Sequence, residues 1–267
     1  MSIQITVIGA AGRMGRRLVA NILEAEDMTL TGAIEAPDSP YLGQDAGVLA
    51  GMPPAGVAVS ADLGAALAAS DAVIDFATGH VIEDVTQAVK AGCCAVVGST
   101  ALTPEMKAKL ALLGHGGGRL VVSSNMSVGV NLLFKLAGEA AKLLEDYDIE
   151  IVEMHHNQKK DAPSGTAARL AEVVCEGRNW DVEKVLVYGR EGVIGVRPES
   201  EIGMHSLRGG DVVGDHTVVF ASSGERVELT HKASNRDNFA RGALKAAEFL
   251  VGAQPGLYDM QDVLNLK

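Results

Sequence analysis

The chain has 267 residues, 47% hydrophobic and 21% charged, enough apolar material for one large core or two moderate ones. Its net charge of −11 repels phosphate backbones and anionic lipid, so neither nucleic acid nor a membrane surface is an expected partner. No apolar run approaches the ~20 residues of a membrane-spanning helix, and the first residues lack the basic start of a secretory signal.

Ile3 to Ile8 is a β-branched run ended by Gly9, which predicts a buried strand. Helical spacing follows over 13–23, with Leu18, Ile22 and Ala25 on one stripe. The next strands are expected at 29–34, 71–76, 94–98 and 119–123, with helices at 80–91 and 104–113 between the later ones. Strands alternating with helices imply right-handed crossovers and a doubly wound parallel sheet of Rossmann type. After about Met126 the pattern changes. A long helix over 130–144 leads to a strand at 147–153 and a helix at 166–176. Short strands follow near 185–188, 203–207, 216–220 and 226–230, which reads as an α+β domain with an open mixed sheet. The last helix, 236–251, is expected to pack back on the first domain. The division is therefore 1–126 with 236–267 for the first domain, and 127–235 for the second. The cysteines, Cys93, Cys94 and Cys175, are odd in number and lack metal-ligand spacing, which points to a reducing, cytoplasmic setting.

Gly9-Ala10-Ala11-Gly12-Arg13-Met14-Gly15 stands directly between a strand and a helix. Gly9 permits the tight turn, Gly12 the approach of a pyrophosphate, and Gly15 close packing of helix on strand. The helix N-terminus offers N–H groups to the phosphates. Glu35 closes the second strand, where an acid takes the adenine ribose hydroxyls. A carboxylate there repels a 2′-phosphate, and Ala36 follows it, which favours NADH; Arg13 or Arg16 still offers charge to NADPH. Gly98-Ser99-Thr100 and Ser123-Ser124-Asn125-Met126 follow later strands, at the edge where open α/β sheets bind ligands, and suit a nicotinamide ribose and carboxamide.

Residues 153–167, EMHHNQKKDAPSGTA, hold His155, His156, Lys159 and Lys160 within six positions of an acidic protein. Ser164-Gly165-Thr166 opens a helix whose N–H groups can hold a carboxylate. Anion capture beside a titratable imidazole suits reduction of an acidic unsaturated substrate, with hydride from the cofactor and a proton from the protein. Simple helix capping by Ser164 or Asp161 is the plainer reading of the same stretch. No third ligand is spaced for a metal. The roles of His205, His216 and His231 stay open on the residues, a structural reading being favoured for histidines on a strand surface.

This stretch resembles the signature of the dihydrodipicolinate reductases of lysine and diaminopimelate biosynthesis. VIGAAGRMGRR resembles that family's cofactor loop and SSNMSVGVN its domain junction, so the likeness runs over essentially the whole chain. The resemblance implies that His155 is the proton donor and acceptor, and that Lys159 assists protonation and contacts substrate. It implies that His156, Gly165 and Thr166 bind substrate, with Ser164 beside them. It further implies cofactor contacts at residues 9–14, at Glu35, at Gly98, Ser99 and Thr100, and at Ser123, Ser124, Asn125 and Met126. The substrate would be a cyclic dicarboxylate, the cofactor NADH or NADPH, and the assembly a homotetramer built through the second domain's sheets. The arginine that often follows the acid in this family is Ala36 here. Two other classes stay open on the residues themselves: a non-catalytic NAD(H)-binding sensor, and another two-domain amino-acid dehydrogenase. A sensor has no need of the basic cluster, and DAPSGTA speaks against the second.

Overall fold

The computed structural model describes residues 2–77, 79–99 and 102–267. They fall into two compact units, Met1–Val128 with Arg236–Lys267, and Gly129–Asn235. In chain order the first unit begins with β1 (Ile3–Ile8), α1 (Arg13–Glu24), β2 (Met28–Ile34), α2 (Ala46–Leu49), β3 (Val59–Ser60), α3 (Leu63–Leu67), β4 (Ala72–Asp75), α4 (Val81–Lys90), β5 (Cys94–Val97), α5 (Pro104–His115) and β6 (Arg119–Val122). The second holds α6 (Val128–Leu143), β7 (Asp148–His155), α7 (Gly165–Arg178), α8 (Val182–Val185), β8 (Leu186–Tyr188), β9 (Ile202–Arg208), β10 (Gly214–Ser222) and β11 (Glu225–Ala233). The chain then returns to the first unit with α9 (Asp237–Gly252), β12 (Gly256–Tyr258) and α10 (Met260–Val263).

Among the described residues the first unit's strands pair in the order β12-β6-β5-β4-β1-β2-β3, every pair parallel. Strands covered on both faces need no polar alternation, and β4 and β5 are buried along their whole length. The order reverses between β1 and β4. The crevice at their carboxyl ends is where such sheets bind ligands, and it lies between the Gly9 turn and the segment after Asp75. On one face α1 packs on α9: Leu18, Val19 and Ile22 share a buried cluster with Ala240, Ala243, Ala247 and Leu250. Alanines and Gly242 let α9 lie close. A β-carbon at Gly242 would stand 1.7 Å from the Met126 carbonyl oxygen.

The second sheet is mixed, in the order β11-β10-β7-β9-β8. β10 runs antiparallel to β7 and β11, while β9 is parallel to β7 and β8. Ile149, Ile151, Val218 and Phe220 point into a core completed by Leu133 and Phe134 from α6 and Leu170 and Val174 from α7. β11 is largely exposed, so this sheet is open as expected. The two architectures agree with the expected fold class. Unanticipated are β3, β12 and the short helices α2, α3, α8 and α10, and β7 runs two residues further than expected, to His155.

Candidate active site

In the first unit the glycine loop is held by its own backbone. Gly9 has φ +76°, and its N–H and that of Ala10 donate to the Ile34 carbonyl at 2.8 and 3.1 Å. Only glycine tolerates this turn without strain. Gly15 serves the turn itself: a β-carbon there would lie 2.0 Å from the Gly9 oxygen and 2.6 Å from Ala10 Cα. The close packing expected of Gly15 is thus between helix and loop. Gly12 is the N-cap of α1 and has no side chain to cap it, so the N–H groups of the first turn remain for a ligand. Glu35 stands just beyond β2, and its Oε1 accepts the Ala11 N–H at 2.8 Å. Arg16 donates from Nε to the Ala11 carbonyl at 2.8 Å and lies 5.1 Å over the Tyr41 ring. Arg13 and Ala36 are exposed, and Met14 is half-buried.

Three neighbouring strand ends complete this edge. Gly98 lies against the Phe76 ring, 2.3 Å from where its β-carbon would be. The Ser99 hydroxyl donates to the Ala77 carbonyl. Thr100 lies outside the described residues. Ser123 Oγ donates to the Asn125 carbonyl at 2.8 Å, and Asn125 Oδ1 accepts from the Ser127 N–H at 2.9 Å. Ser99, Ser123 and Ser124 line a cavity of about 360 Å³ with Lys107 and Tyr258. Met126 differs from its neighbours: the whole residue is 1% exposed, its side chain belongs to the core, and its carbonyl packs against Gly242 of α9. Sequence reasoning missed Asp75, Phe76 and Ala77. Asp75 is fully buried, and that burial pushes its carboxyl up to about 7 although Ala77 N–H donates to Oδ1 at 2.7 Å. An acid closing the apolar run Ala72-Val73-Ile74 was the available signal.

In the second unit β7 delivers Glu153 inward, in the same parity as Ile149 and Ile151, and ends at His155. Glu153 is 0% exposed. Its Oε2 receives His155 Nδ1 at 2.6 Å and Arg208 Nη1 at 2.9 Å; its Oε1 receives Arg208 Nη2 at 2.8 Å and the Ser164 N–H at 3.3 Å. Burial would raise this carboxyl, but the hydrogen bonds from Arg208, His155 and Ser206 outweigh it and hold Glu153 below its ordinary value. Burial also lowers His155 below the usual imidazole value, and Glu153 offsets only part of that. Lys159 reaches both Asp161 oxygens at 2.9 Å and is mostly covered. His156 Nδ1 accepts the Gln158 N–H at 3.2 Å.

The Ala162–Pro163 peptide is cis, and Ser164 then caps α7, its Oγ accepting the Ala167 N–H at 3.2 Å. Ser164 is 3% exposed and also bonds His216 Nε2 at 2.9 Å, so its hydroxyl is spent inside the protein. Gly165 is exposed and Thr166 half-buried at the helix start. His216, read from sequence as structural, is buried within the site. Its ring meets His155 edge-on at 5.2 Å, and burial drives it down to about 3, so it is neutral. His205 lies elsewhere, 2.7 Å from Glu150, which Arg190 and Arg197 also hold. His231 pairs opposite His216 on β11. Lys160 is exposed. The three cysteines are buried and free, and burial pushes the Cys175 thiol up to about 11, so none is a poised nucleophile.

A family profile described as dihydrodipicolinate reductase, N-terminus, matches residues 3–126, and its C-terminus counterpart matches 129–264. The chain is 51% identical over 267 residues to a 4-hydroxy-tetrahydrodipicolinate reductase of Syntrophotalea carbinolica, covering 99% of this chain and 100% of the relative. It is 52% identical over 270 residues to one of an Anaeromyxobacter species, covering 99% and 98%. A dipicolinate-bound dihydrodipicolinate reductase from a Paenisporosarcina species superimposes with TM-score 0.78 at 25% identity, over 98% of this chain and 99% of that one.

Proposed function

The chain belongs to the dihydrodipicolinate reductase family, and we propose that it reduces 4-hydroxy-tetrahydrodipicolinate to tetrahydrodipicolinate, in the diaminopimelate route to lysine, with NADH or NADPH as reductant. The observation that carries this reading is a mostly buried imidazole, held at Nδ1 by a buried carboxylate that also holds the N–H of Ser164, the N-cap of α7. A sensor that only binds a dinucleotide has no use for that pairing.

The first unit's residues suit the cofactor. The uncapped start of α1 presents N–H groups to a pyrophosphate, and the N–H groups of Gly9 to Gly12, each bonded within the protein, hold the loop in shape beneath it. Glu35 is close enough to the loop to take ribose hydroxyls there. Ser99, Ser123 and Ser124, along the cavity they share, offer small polar groups for the nicotinamide end. When bound, the nicotinamide supplies the hydride. The protein's part is the proton, and His155 Nε2 is the group to give it, Nδ1 being engaged by Glu153. Gly165 and Thr166, with the helix dipole behind them, neutralise one carboxylate of a cyclic dicarboxylate. Lys159 neutralises another and assists protonation once it leaves Asp161, and His156 completes substrate contact. Ser164 acts through the cap and His216.

Glu35 followed by exposed Ala36 favours NADH, and Arg16 is committed to Ala11 and Tyr41, which leaves Arg13 as the exposed charge for a 2′-phosphate. The test is cofactor oxidation with substrate made in situ from pyruvate and aspartate semialdehyde. Turnover is expected with both cofactors, NADH giving the higher kcat/KM. Glu35→Ala is expected to shift the NADH-to-NADPH ratio at least ~10-fold toward NADPH, about 1.4 kcal/mol. An equal loss for both would remove Glu35 from selection, and cofactor binding without any turnover would favour the sensor.

A homotetramer and a cytoplasmic setting complete the proposal. Val193 and Val196 are almost fully exposed and Tyr188 is 65% exposed, apolar area that a second copy would cover. Light scattering should give about four times the 27.7-kDa chain, and a monomer mass at working concentration would overturn this assembly. No helix among the described residues is long and apolar enough to cross a membrane. Three free, buried thiols fit a reducing compartment.

A further inference from the structure

We propose that Glu153 is a positioning residue that sets both halves of the site at once, fixing the tautomer of His155 with one oxygen and the start of α7 with the other. The proposal rests on the reductase reading of this site.

A fully buried carboxylate at an inward position of β7, where an aliphatic residue would pack, is costly unless fully paired. The sheet supplies that pairing. β9 runs parallel to β7 with Arg208 in register with His155, and Arg208 grips both Glu153 oxygens at 2.9 and 2.8 Å. The same two oxygens then divide their remaining capacity. Oε2 faces His155 Nδ1 at 2.6 Å, and Oε1 faces the Ser164 N–H at 3.3 Å, one residue before α7 begins. An ionised carboxylate only accepts, so the hydrogen between it and the imidazole belongs to Nδ1. Nε2 is left as the nitrogen that exchanges its proton.

The surroundings of Nε2 agree. A β-carbon at Gly214 would stand 3.0 Å from Nε2, and the glycine leaves that space empty. Glu153 itself is held below the ordinary carboxylate range and keeps no proton of its own. It therefore orients the donor and stabilises the imidazolium without taking part in the transfer, an arrangement that also places the carboxylate cradle of Gly165 and Thr166 at a fixed offset from the proton.

The charged and titratable groups facing His155 are Glu153 on its own strand, Lys159 in the following loop, Arg208 from β9 and His216 from β10. Of these only Glu153 favours the imidazolium. Glu153→Gln removes that support, and its amide can donate to Nδ1 and so hold the opposite tautomer. In the full-length protein we expect kcat/KM for substrate to fall about 10–100-fold, within the range set by a positioned acid, with cofactor KM within about twofold. Activity that needs protonated His155 declines as pH rises through its pKa. Without the carboxylate that pKa is lower, so the decline should move to lower pH by at least ~0.5 unit.

Arg208 loses its counter-charge in Glu153→Gln, so Glu153→Asp provides the second variant: it keeps a charge for Arg208 but withdraws it from Nδ1, and should lower kcat at least ~10-fold. Nitrogen-15 chemical shifts of His155 give a readout independent of turnover. Neutral His155 should carry its hydrogen on Nδ1 in the wild type and lose that preference in Glu153→Gln. A wild-type pH profile and unchanged tautomer in Glu153→Gln would overturn the proposal while leaving the reductase reading intact. If the wild type reduces no substrate, the reductase reading fails, and the tautomer still decides whether Glu153 positions His155.

Discussion

His155→Ala is expected to lower kcat by about 10²–10⁴-fold, the usual worth of a positioned general acid, while the Kd for NADH stays within about twofold. The two effects separate because His155 and the glycine loop belong to different units. His155 stands at the end of β7 in the second, whereas Gly9 to Gly15 and Glu35 belong to the first. The substitution also leaves the buried charge balanced. Glu153 keeps both Arg208 contacts and the Ser164 N–H, so the variant retains the pairing that a fully buried carboxylate requires. Single-turnover reduction gives the chemical step, and fluorescence titration of NADH gives the affinity. A variant that turns over at the wild-type rate would remove His155 as the proton donor. A variant whose NADH affinity collapsed with its activity would point to general loss of structure.

Much of the fold was legible because its signals are local. A β-branched run ended by Gly9, with helical spacing after it, needs no distant partner to be recognised as a strand, turn and helix. β3 and β12 gave no such signal. β3 is two residues long and β12 three, and each is a strand only because it pairs with the end of β2 or with β6. In the site, EMHHNQKKDAPSGTA held the proposed donor His155 and the start of α7 in one segment, yet their support was not contiguous. Arg208 lies 55 residues beyond Glu153 and reaches it through the parallel pairing of β7 with β9.

The two buried polar residues could have been found. Glu153 shares strand parity with Ile149 and Ile151, and His216 with Val218 and Phe220. A polar residue in an inward position of an otherwise alternating strand marks a site where pairing has replaced packing. Reading His216 as structural followed from treating the strand's histidines as surface groups, and its parity pointed inward. Met126 shows the converse. Its place after β6 led to the expectation of a cofactor contact, but its side chain is drawn into the core beside α9, a helix more than a hundred residues later.

Gly15→Ala should be the most damaging single-carbon change in the cofactor loop, raising the NADH Kd at least ~100-fold, or about 2.7 kcal/mol. The new β-carbon would fall 2.0 Å from the Gly9 oxygen and 2.6 Å from Ala10 Cα. Both obstacles are backbone, so no rotamer change relieves them and the loop itself must shift. The shift breaks what holds the phosphate cradle in shape: the Gly9 and Ala10 N–H bonds to Ile34 and the Ala11 N–H bond to Glu35. Overpacking of this kind costs about 1–3 kcal/mol of stability, which thermal unfolding should register as a lower Tm. Gly12→Ala is the internal comparison. Its β-carbon would sit 3.2 Å from the same Gly9 oxygen, on an exposed N-cap, so the fold should tolerate it while the approach of a pyrophosphate does not. Loss of affinity in both variants with loss of Tm only in Gly15→Ala would separate the glycine that shapes the loop from the one that meets the ligand. Equal Tm values and wild-type affinity in Gly15→Ala would mean that the loop relaxes around the added carbon, and that the tight contact does not set the cradle's geometry.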